Sequence, residues 1–137
     1  DTARRIGEGL AELGLAVICG GREGIMEAVA EGVARHRGVA IGLLPDSRAD
    51  LANPWLTHVI ATGLGEARNA VIARAGFCLV AVGDSHGTLS EVALGLQFGK
   101  RVFGLEGAAT VEGVTTLVDA DSAIDAVAQL VAAQAAD

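Results

Sequence analysis

A run of six apolar residues, Phe77 to Val82, constrains the fold more than any other stretch of the chain. A run this short, and apolar at every position, predicts a strand of a parallel sheet that is buried on both faces. The turn Gly83–Thr88 follows it and opens a helix. In open parallel sheets, ligands bind beyond the carboxyl ends of the strands, where the next helix offers unpaired N–H groups and the positive end of its dipole. We therefore expect the functional site of the protein, where a ligand would bind, to lie at this turn.

Strands and helices alternate along the whole chain. The predicted strands, in chain order, are Leu15–Cys19, Val39–Leu44, Thr57–Ala61, Phe77–Val82, Arg101–Leu105 and Val114–Val118. Helices are predicted over residues 1–13, after a Gly-rich turn at 20–24, over 67–75 and from Thr88 to Gly99. The chain is predicted to end on a helix whose N-cap is Ser122, with Asp125 three residues on. This alternation predicts a single α/β domain over residues 1–137, with a doubly wound, Rossmann-like parallel sheet. Such folds normally begin on a central strand, whereas this chain begins on a helix, so we expect it to lack its first strand.

Composition narrows the class of partner. The 137 residues carry a formal net charge of −7, and the ten Lys and Arg residues are dispersed. Nucleic-acid and anionic-membrane surfaces need clustered basic residues, so neither partner is expected. No apolar run approaches the roughly 20 residues of a membrane span, and no signal-peptide pattern opens the chain. A cytoplasmic protein with a small-molecule partner is the prediction.

Cysteine and histidine spacing argues against a metal site. Cys19 and Cys78 both fall within predicted buried strands, which favours free core thiols in a reducing compartment. The histidines His36, His58 and His86 lie on separate elements, so no zinc triad is indicated and no metal is expected.

Glu91 has two interpretations. The stretch Thr88-Leu89-Ser90-Glu91 matches a capping box, in which Thr88 is the N-cap and the Glu91 carboxylate reaches back to its N–H. This role would be purely structural, because the capping box stabilises the helix without any ligand. A carboxylate beside a Gly-rich ligand turn could also hold a ribose hydroxyl or stabilise positive charge that develops on a sugar.

Arg68 is placed at the start of a predicted helix, where a cation opposes the helix dipole. Helix stability therefore does not explain it, and an anionic partner is expected: Glu66, Glu91 or a ligand phosphate, for which a guanidinium is a two-pronged donor. A solvated surface arginine is the alternative. Asn69 beside it could donate to a ligand or act as a cap.

Three motifs carry a family resemblance. They are Gly20-Gly21-x-x-Gly24-Ile25-Met26-Glu27-Ala28, Thr62-Gly63-x-Gly65-Glu66-Ala67-Arg68-Asn69 and Gly87-Thr88-Leu89-Ser90-Glu91. In this order they resemble the LOG-like (Lonely Guy, formerly "lysine decarboxylase-like") Rossmann superfamily, above all its short branch that includes molybdenum cofactor carrier proteins. The decarboxylase label itself has no support, because Lys100, the only lysine, follows a helix C-terminus.

The resemblance implies a site for a phosphorylated ligand, either a molybdopterin cofactor or an AMP-like nucleotide, in a homodimer or higher homo-oligomer. It implies Arg68 and Glu91 as a catalytic pair. The ligand-binding residues that it implies, or that the turn sequences suggest, are Gly20, Gly21, Gly24, Glu27, Asn69, Gly83, Ser85, His86, Gly87 and Thr88.

The second turn departs from the family's active hydrolases, which read Pro-Gly-Gly-x-Gly-Thr. Here Asp84 and Ser85 bring side chains, one of them charged, where backbone should approach phosphate closely. We therefore expect a carrier-like protein that binds a phosphorylated nucleotide or nucleotide-like cofactor. The alternatives are a nucleoside 5'-monophosphate phosphoribohydrolase, which cleaves the N-glycosidic bond, and a non-catalytic sensor or scaffold domain.

Overall fold

The computed structural model describes residues 1–136, which form two half-sheets covered by helices. The strands are β1 Val17–Cys19, β2 Ala40–Leu44, β3 His58–Ala61, β4 Cys78–Val82, β5 Arg101–Leu105 and β6 Val114–Thr116. The helices are α1 Thr2–Glu12, α2 Ile25–Arg35, α3 Arg68–Ala75, α4 His86–Gln97 and α5 Ala120–Ala136. Two short 3₁₀ turns, at Ala49–Leu51 and Gly65–Ala67, lie within the connections.

Every strand pairing is parallel. One half-sheet has the order β1-β2-β3 and the other the order β4-β5-β6. The register aligns Val17 with Ala40 in the first half, and Cys78 with Arg101 in the second. The α/β class with a parallel, doubly wound arrangement is thus confirmed, and all carboxyl strand ends of a half-sheet point to one edge.

β4 is buried from both sides, as its apolar run predicts. Successive side chains of a strand point to opposite faces. Leu79 and Ala81 pack against the layer formed by α3 and α4, whereas Val80 and Val82 pack with Ile6 in the layer of α1 and α5. Full burial of such a side chain contributes roughly 1.5–3 kcal/mol, so β4 anchors both layers.

Some boundaries differ from the predictions. Phe77 precedes β4 and is 49% exposed, and β6 ends at Thr116, with Val118 almost fully exposed. Cys19 and Cys78 are free thiols, yet both are only half-buried rather than core residues. Apolarity alone does not show which strand edge lacks a neighbour.

The cap predicted for the last helix is wrong. Asp119 Oδ1 accepts hydrogen bonds from the Ser122 backbone N–H at 2.8 Å and from its hydroxyl at 2.5 Å. Because α5 begins at Ala120, Ser122 lies within its first turn. Asp and Ser are equally favourable N-cap residues. Here Asp119, directly before the helix, accepts the hydrogen bonds that were expected of Ser122.

Candidate ligand site

A groove of about 890 Å³ runs between the facing edges of β1 and β4. At its carboxyl end it meets the first turn of α4 and the start of α3. The predicted site residues that line it are Gly20, Arg68, Asn69, Ser85, Gly87, Thr88 and Glu91. The structure therefore brings together residues that are up to 71 positions apart, from Gly20 to Glu91, at one end of the sheet.

The turn after β4 ends in an open helix N-terminus. Ser85 is the N-cap of α4, and its side chain accepts a hydrogen bond from the Thr88 N–H at 3.1 Å. The N–H groups of His86 and Gly87 have no intrahelical partner, because they belong to the first turn. Nothing lies within 4 Å of the point that a Cβ on Gly87 would occupy. An anion can therefore approach these N–H groups closely, where the helix dipole favours it.

The capping box predicted for Glu91 is wrong. α4 begins at His86 with Ser85 as its N-cap, three residues earlier than the box requires, so Glu91 lies in the second turn and cannot reach the first N–H groups. Its carboxyl group is instead half-buried at the groove. Burial raises the pKa of Glu91, and the nearby positive charge of Arg68 opposes that rise only partly.

Arg68 is fixed by backbone carbonyl groups, and none of its hydrogen bonds goes to an acidic group within residues 1–136. Its Nη1 donates to the carbonyl oxygen of Gly20 at 2.9 Å and to that of Leu43 at 2.7 Å. Its Nε donates to Asn69 Oδ1 at 3.0 Å. These bonds hold the planar guanidinium across the carboxyl ends of β1 and β2, and leave the Nη2 amino group without a protein partner in the described chain.

Asn69 is buried with 9% exposure and orients Arg68. Its oxygen receives the Arg68 Nε bond, so the amide acts on the guanidinium and not as a helix cap. The structure therefore excludes two of the alternatives: Arg68 is not a solvated surface residue, and Asn69 is not a helix cap.

The turn after β1 is crowded. A Cβ on Gly20 would lie 2.3 Å from the Met26 sulfur and 2.8 Å from Arg68 Nη1. Gly21 has φ of +81° and lies against Gly42 and Leu44. These glycines make room for protein atoms, so close packing within the protein accounts for them.

A buried asparagine from another loop ties this turn down. Asn53, 8% exposed, donates its backbone N–H to Gly21 O at 2.9 Å and its side-chain amide to Arg22 O at 2.9 Å. Arg22 also pairs with Asp46 at 3.1 Å.

The side chains and backbone of several predicted residues do not form part of the groove wall. Its lining does not include Gly21, Gly24, Glu27, Gly83 or His86. Gly24 has φ of +78° and precedes α2, and Gly83 has φ of +87°, so both serve the geometry of turns. His86 is exposed, and Glu27 lies half-buried in the first turn of α2, where a carboxylate suits the helix dipole.

Two sulfur side chains at the site were not predicted. Cys19 and Met26 both line the groove, and Cys19 lies close enough to Glu91 and Arg68 to feel both charges. Burial raises the pKa of the Cys19 thiol, so it stays protonated at neutral pH. The sequence does place Cys19 directly before Gly20 and Met26 within the first motif, and these positions could have identified both as site residues.

Residues 1–136 contain no group of three or more His, Cys, Asp or Glu side chains that could hold a metal ion. None of the helices described has the length and apolar character needed to cross a membrane.

A family model and known proteins match this chain over nearly its full length. The model of the SLOG cluster4 family matches residues 1–135. An uncharacterised protein of Archaeoglobus fulgidus is 38% identical over 123 residues, which cover 90% of this chain and 81% of that protein.

Solved structures agree with this match. The molybdenum cofactor binding protein of the phototrophic bacterium Rippkaea orientalis is 28% identical, with a TM-score of 0.90. The match covers 95% of this chain and 86% of that protein's chain. The molybdenum cofactor carrier protein of Chlamydomonas reinhardtii is 34% identical, with a TM-score of 0.85 over 96% and 87%.

Proposed function

The chain belongs to the SLOG cluster4 family, and we propose that it binds the molybdenum cofactor as a carrier, without turning it over. The observation that carries this proposal is the similarity to cofactor-binding and carrier structures at TM-scores of 0.90 and 0.85. The open N-terminus of α4 supports it independently, because molybdopterin carries a phosphate group that such a terminus suits.

We propose that the second turn and Arg68 hold the anionic end of the ligand. The free N–H groups of His86 and Gly87 offer donors, and the Arg68 Nη2 group adds a positively charged donor at the same groove. Ser85 and Thr88 shape this turn through their mutual hydrogen bond of 2.8 Å. The first turn contributes by holding Arg68 in place.

The substitution of Asp84 and Ser85 for glycines is compatible with this role. The Ser85 side chain folds back to cap α4, and Asp84 is exposed and outside the groove lining. Neither side chain lies over Gly87, which leaves the approach to the backbone open.

Glu91 has a different role in the proposed carrier from the role it would have in a hydrolase. Burial raises the pKa of this carboxyl group, so Glu91 takes up a proton more readily than an exposed carboxyl group does. A hydrolase of the glycosidic type would instead use the ionised carboxylate against an oxocarbenium-like transition state.

The test is to purify the protein from a bacterial host that makes the molybdenum cofactor. Molybdenum is measured by mass spectrometry and the pterin by its fluorescence after oxidation. The expected result is molybdenum and pterin in equal amounts, both strongly reduced in Arg68→Ala. A folded protein that carries neither contradicts the carrier proposal.

A second arm addresses hydrolysis. The protein is incubated with AMP, and free adenine is measured by chromatography beside Glu91→Gln. A carrier releases no adenine. Release that the Glu91→Gln variant loses would overturn the carrier function in favour of a phosphoribohydrolase.

We also propose that copies of the chain associate in the cytoplasm. All four residues of the edge strand β3 are exposed, and Trp55, Ile60 and Leu64 nearby are 40%, 50% and 50% exposed, an apolar surface that association would cover. The free thiols Cys19 and Cys78 suit a reducing compartment. Sedimentation as a monomer at all concentrations contradicts the association.

A further inference from the structure

Two asparagines, Asn53 and Asn69, are the polar residues buried in the interior of residues 1–136. A buried polar side chain costs free energy unless hydrogen bonds satisfy it. Asn69 spends its oxygen on the Arg68 guanidinium. Asn53 has both ends of its amide engaged, since Nδ2 donates to Arg22 O at 2.9 Å and Oδ1 accepts from the Trp55 N–H at 3.0 Å. Its bonds therefore need the same question as those of Asn69, namely which part of the molecule they hold.

The bonds of Asn53 hold the turn whose first carbonyl group carries Arg68. Its backbone N–H donates to Gly21 O, and its side chain to Arg22 O, so two successive carbonyl groups are tied down. The Gly20 carbonyl group lies directly before them and accepts from Arg68 Nη1 at 2.9 Å. Because each peptide unit is planar, fixing the next two units limits the directions in which the Gly20 oxygen can point.

The two carbonyl groups that bind Arg68 Nη1 are held in different ways. Leu43 lies within β2, where the ladder to β3 pairs it with Ile60. The ladder between β1 and β2 ends at Cys19, so Gly20 lies just beyond it. Glycine is conformationally free, and a Gly-rich turn beyond a ladder keeps its shape only where other bonds hold it. Asn53 provides such bonds.

Asn53 itself does not line the groove, and neither does any other residue from 42 to 67. Any effect of Asn53 on a ligand in the groove must therefore pass through the turn.

We propose that Asn53 is a positioning residue of the ligand site. It sets the direction of the Gly20 carbonyl group and thereby keeps the Arg68 guanidinium in the orientation that receives the anionic end of the ligand. The effect on the ligand rests on the proposed function, whereas the hold on Arg68 is a property of the ligand-free protein.

The test compares two variants of Asn53 with a matched control. Asn53→Ala removes both side-chain bonds, and Asn53→Asp keeps the shape and the acceptor for Trp55 but loses the donor to Arg22. The control is Thr57→Val. Thr57 Oγ1 bonds the N–H and the carbonyl oxygen of Ala40 at 2.9 and 2.8 Å, in the same half-sheet but at the opposite, amino ends of β2 and β3.

The first readout needs no ligand. Hydrogen exchange of the Arg68 Nε–H group, which is bonded to Asn69, is followed by NMR. Exchange should be roughly tenfold faster or more in both Asn53 variants, because local opening exposes the group, and unchanged in Thr57→Val. Unchanged exchange in the folded Asn53 variants overturns the proposal. So does failure of both variants to fold, since Asn53 would then support the whole domain and not one side chain.

The second readout is anaerobic calorimetric titration with the molybdenum cofactor. Both Asn53 variants should bind roughly tenfold more weakly, as when the outer partner of a binding residue is removed, and Thr57→Val should bind like the parent. An equal loss in Thr57→Val, or undiminished binding in the Asn53 variants, overturns the positioning role. A parent that binds no cofactor contradicts the carrier function instead, and the exchange of the Arg68 Nε–H group then decides whether Asn53 holds Arg68.

Discussion

The two glycine-rich turns of this protein follow equivalent strands but are built in opposite ways. Around Gly20, an added Cβ would meet Met26 and Arg68 within 3 Å, and a buried asparagine holds the next residues. Around Gly87, an added Cβ would meet nothing within 4 Å. Glycine therefore serves packing at the first turn and access at the second, although the two read alike in the sequence.

This difference assigns the turns separate tasks. The first turn and the carboxyl end of β2 hold the Arg68 guanidinium through the carbonyl oxygens of Gly20 and Leu43. The second turn presents the N-terminus of α4. A ligand that binds at the second turn would thus depend on the first turn only through Arg68.

The largest expected effect tests the difference in packing between the two turns. Gly20→Ala should destabilise the protein by about 1–3 kcal/mol, because the methyl group overlaps Arg68 Nη1 and the Met26 sulfur. Gly87→Ala is the matched control and should change stability by less than about 1 kcal/mol, since its methyl group enters open space in a helix. Urea unfolding measures both. Equal losses would mean that the two turns do not differ in packing.

Arg68→Lys comes next. A lysine lacks the planar fork that bonds two carbonyl groups and Asn69 at once, so binding of an anionic ligand should weaken roughly tenfold or more. Arg48→Lys is the control, because the Arg48 side chain is 76% exposed and pairs with Asp50 at the surface. Calorimetric titration with the cofactor decides the matter, and unchanged affinity in Arg68→Lys would remove the guanidinium from the site.

Ser85→Ala should cost about 1 kcal/mol of stability, the worth of an N-cap. Thr88→Val keeps the shape of its side chain and should cost less, because Thr88 contributes a hydroxyl contact and not the cap. Thermal unfolding of the two variants compares these losses. A larger loss for Thr88→Val would restore the capping box that the structure replaces.

The smallest effect concerns pH. Burial raises the folded-state pKa of Glu91 above the ordinary carboxyl value of about 4.3, so the unfolded chain releases this proton first. Ionisation of Glu91 therefore lowers the stability of the parent as pH rises from that value through the raised pKa, and Glu91→Gln lacks this loss.

Urea unfolding at intervals from about pH 4 to 7 should show the stability of Glu91→Gln gaining on that of the parent. The difference between the two proteins removes the titration of all other groups. A variant that falls behind the parent towards neutral pH would show that the carboxylate is stabilised in the fold, which contradicts its burial.

Much of the fold could be predicted from the sequence because local patterns determine it. The apolar run at Phe77–Val82 is a local signal, and the structure has a strand there. The glycines Gly14 and Gly99 are local signals for helix ends, and both have positive φ directly after α1 and α4. The site was harder. Ser85 and Thr88 are both acceptable N-cap residues. Ser85 is the cap because its own backbone is extended and the helix begins directly after it.

Long-range contacts explain the remaining misses. The Arg68 guanidinium has partners 48 and 25 residues away in the sequence, and Asn53 reaches Arg22 across 31. Such pairings follow from how strands lie side by side, which no local spacing encodes. For the same reason the half-exposure of Cys19 and Cys78 follows from the groove and not from their apolar neighbours.

The most direct test of the central claim is an anaerobic calorimetric titration with the molybdenum cofactor, using the parent, Gly87→Asp and Gly87→Asn. A carboxylate in the first turn suits the helix dipole, so Gly87→Asp should stay folded while it repels the phosphate of the ligand. We predict binding by the parent, weaker binding by Gly87→Asn, and none by Gly87→Asp. Undiminished binding by a folded Gly87→Asp would contradict the assignment of the ligand to the second turn.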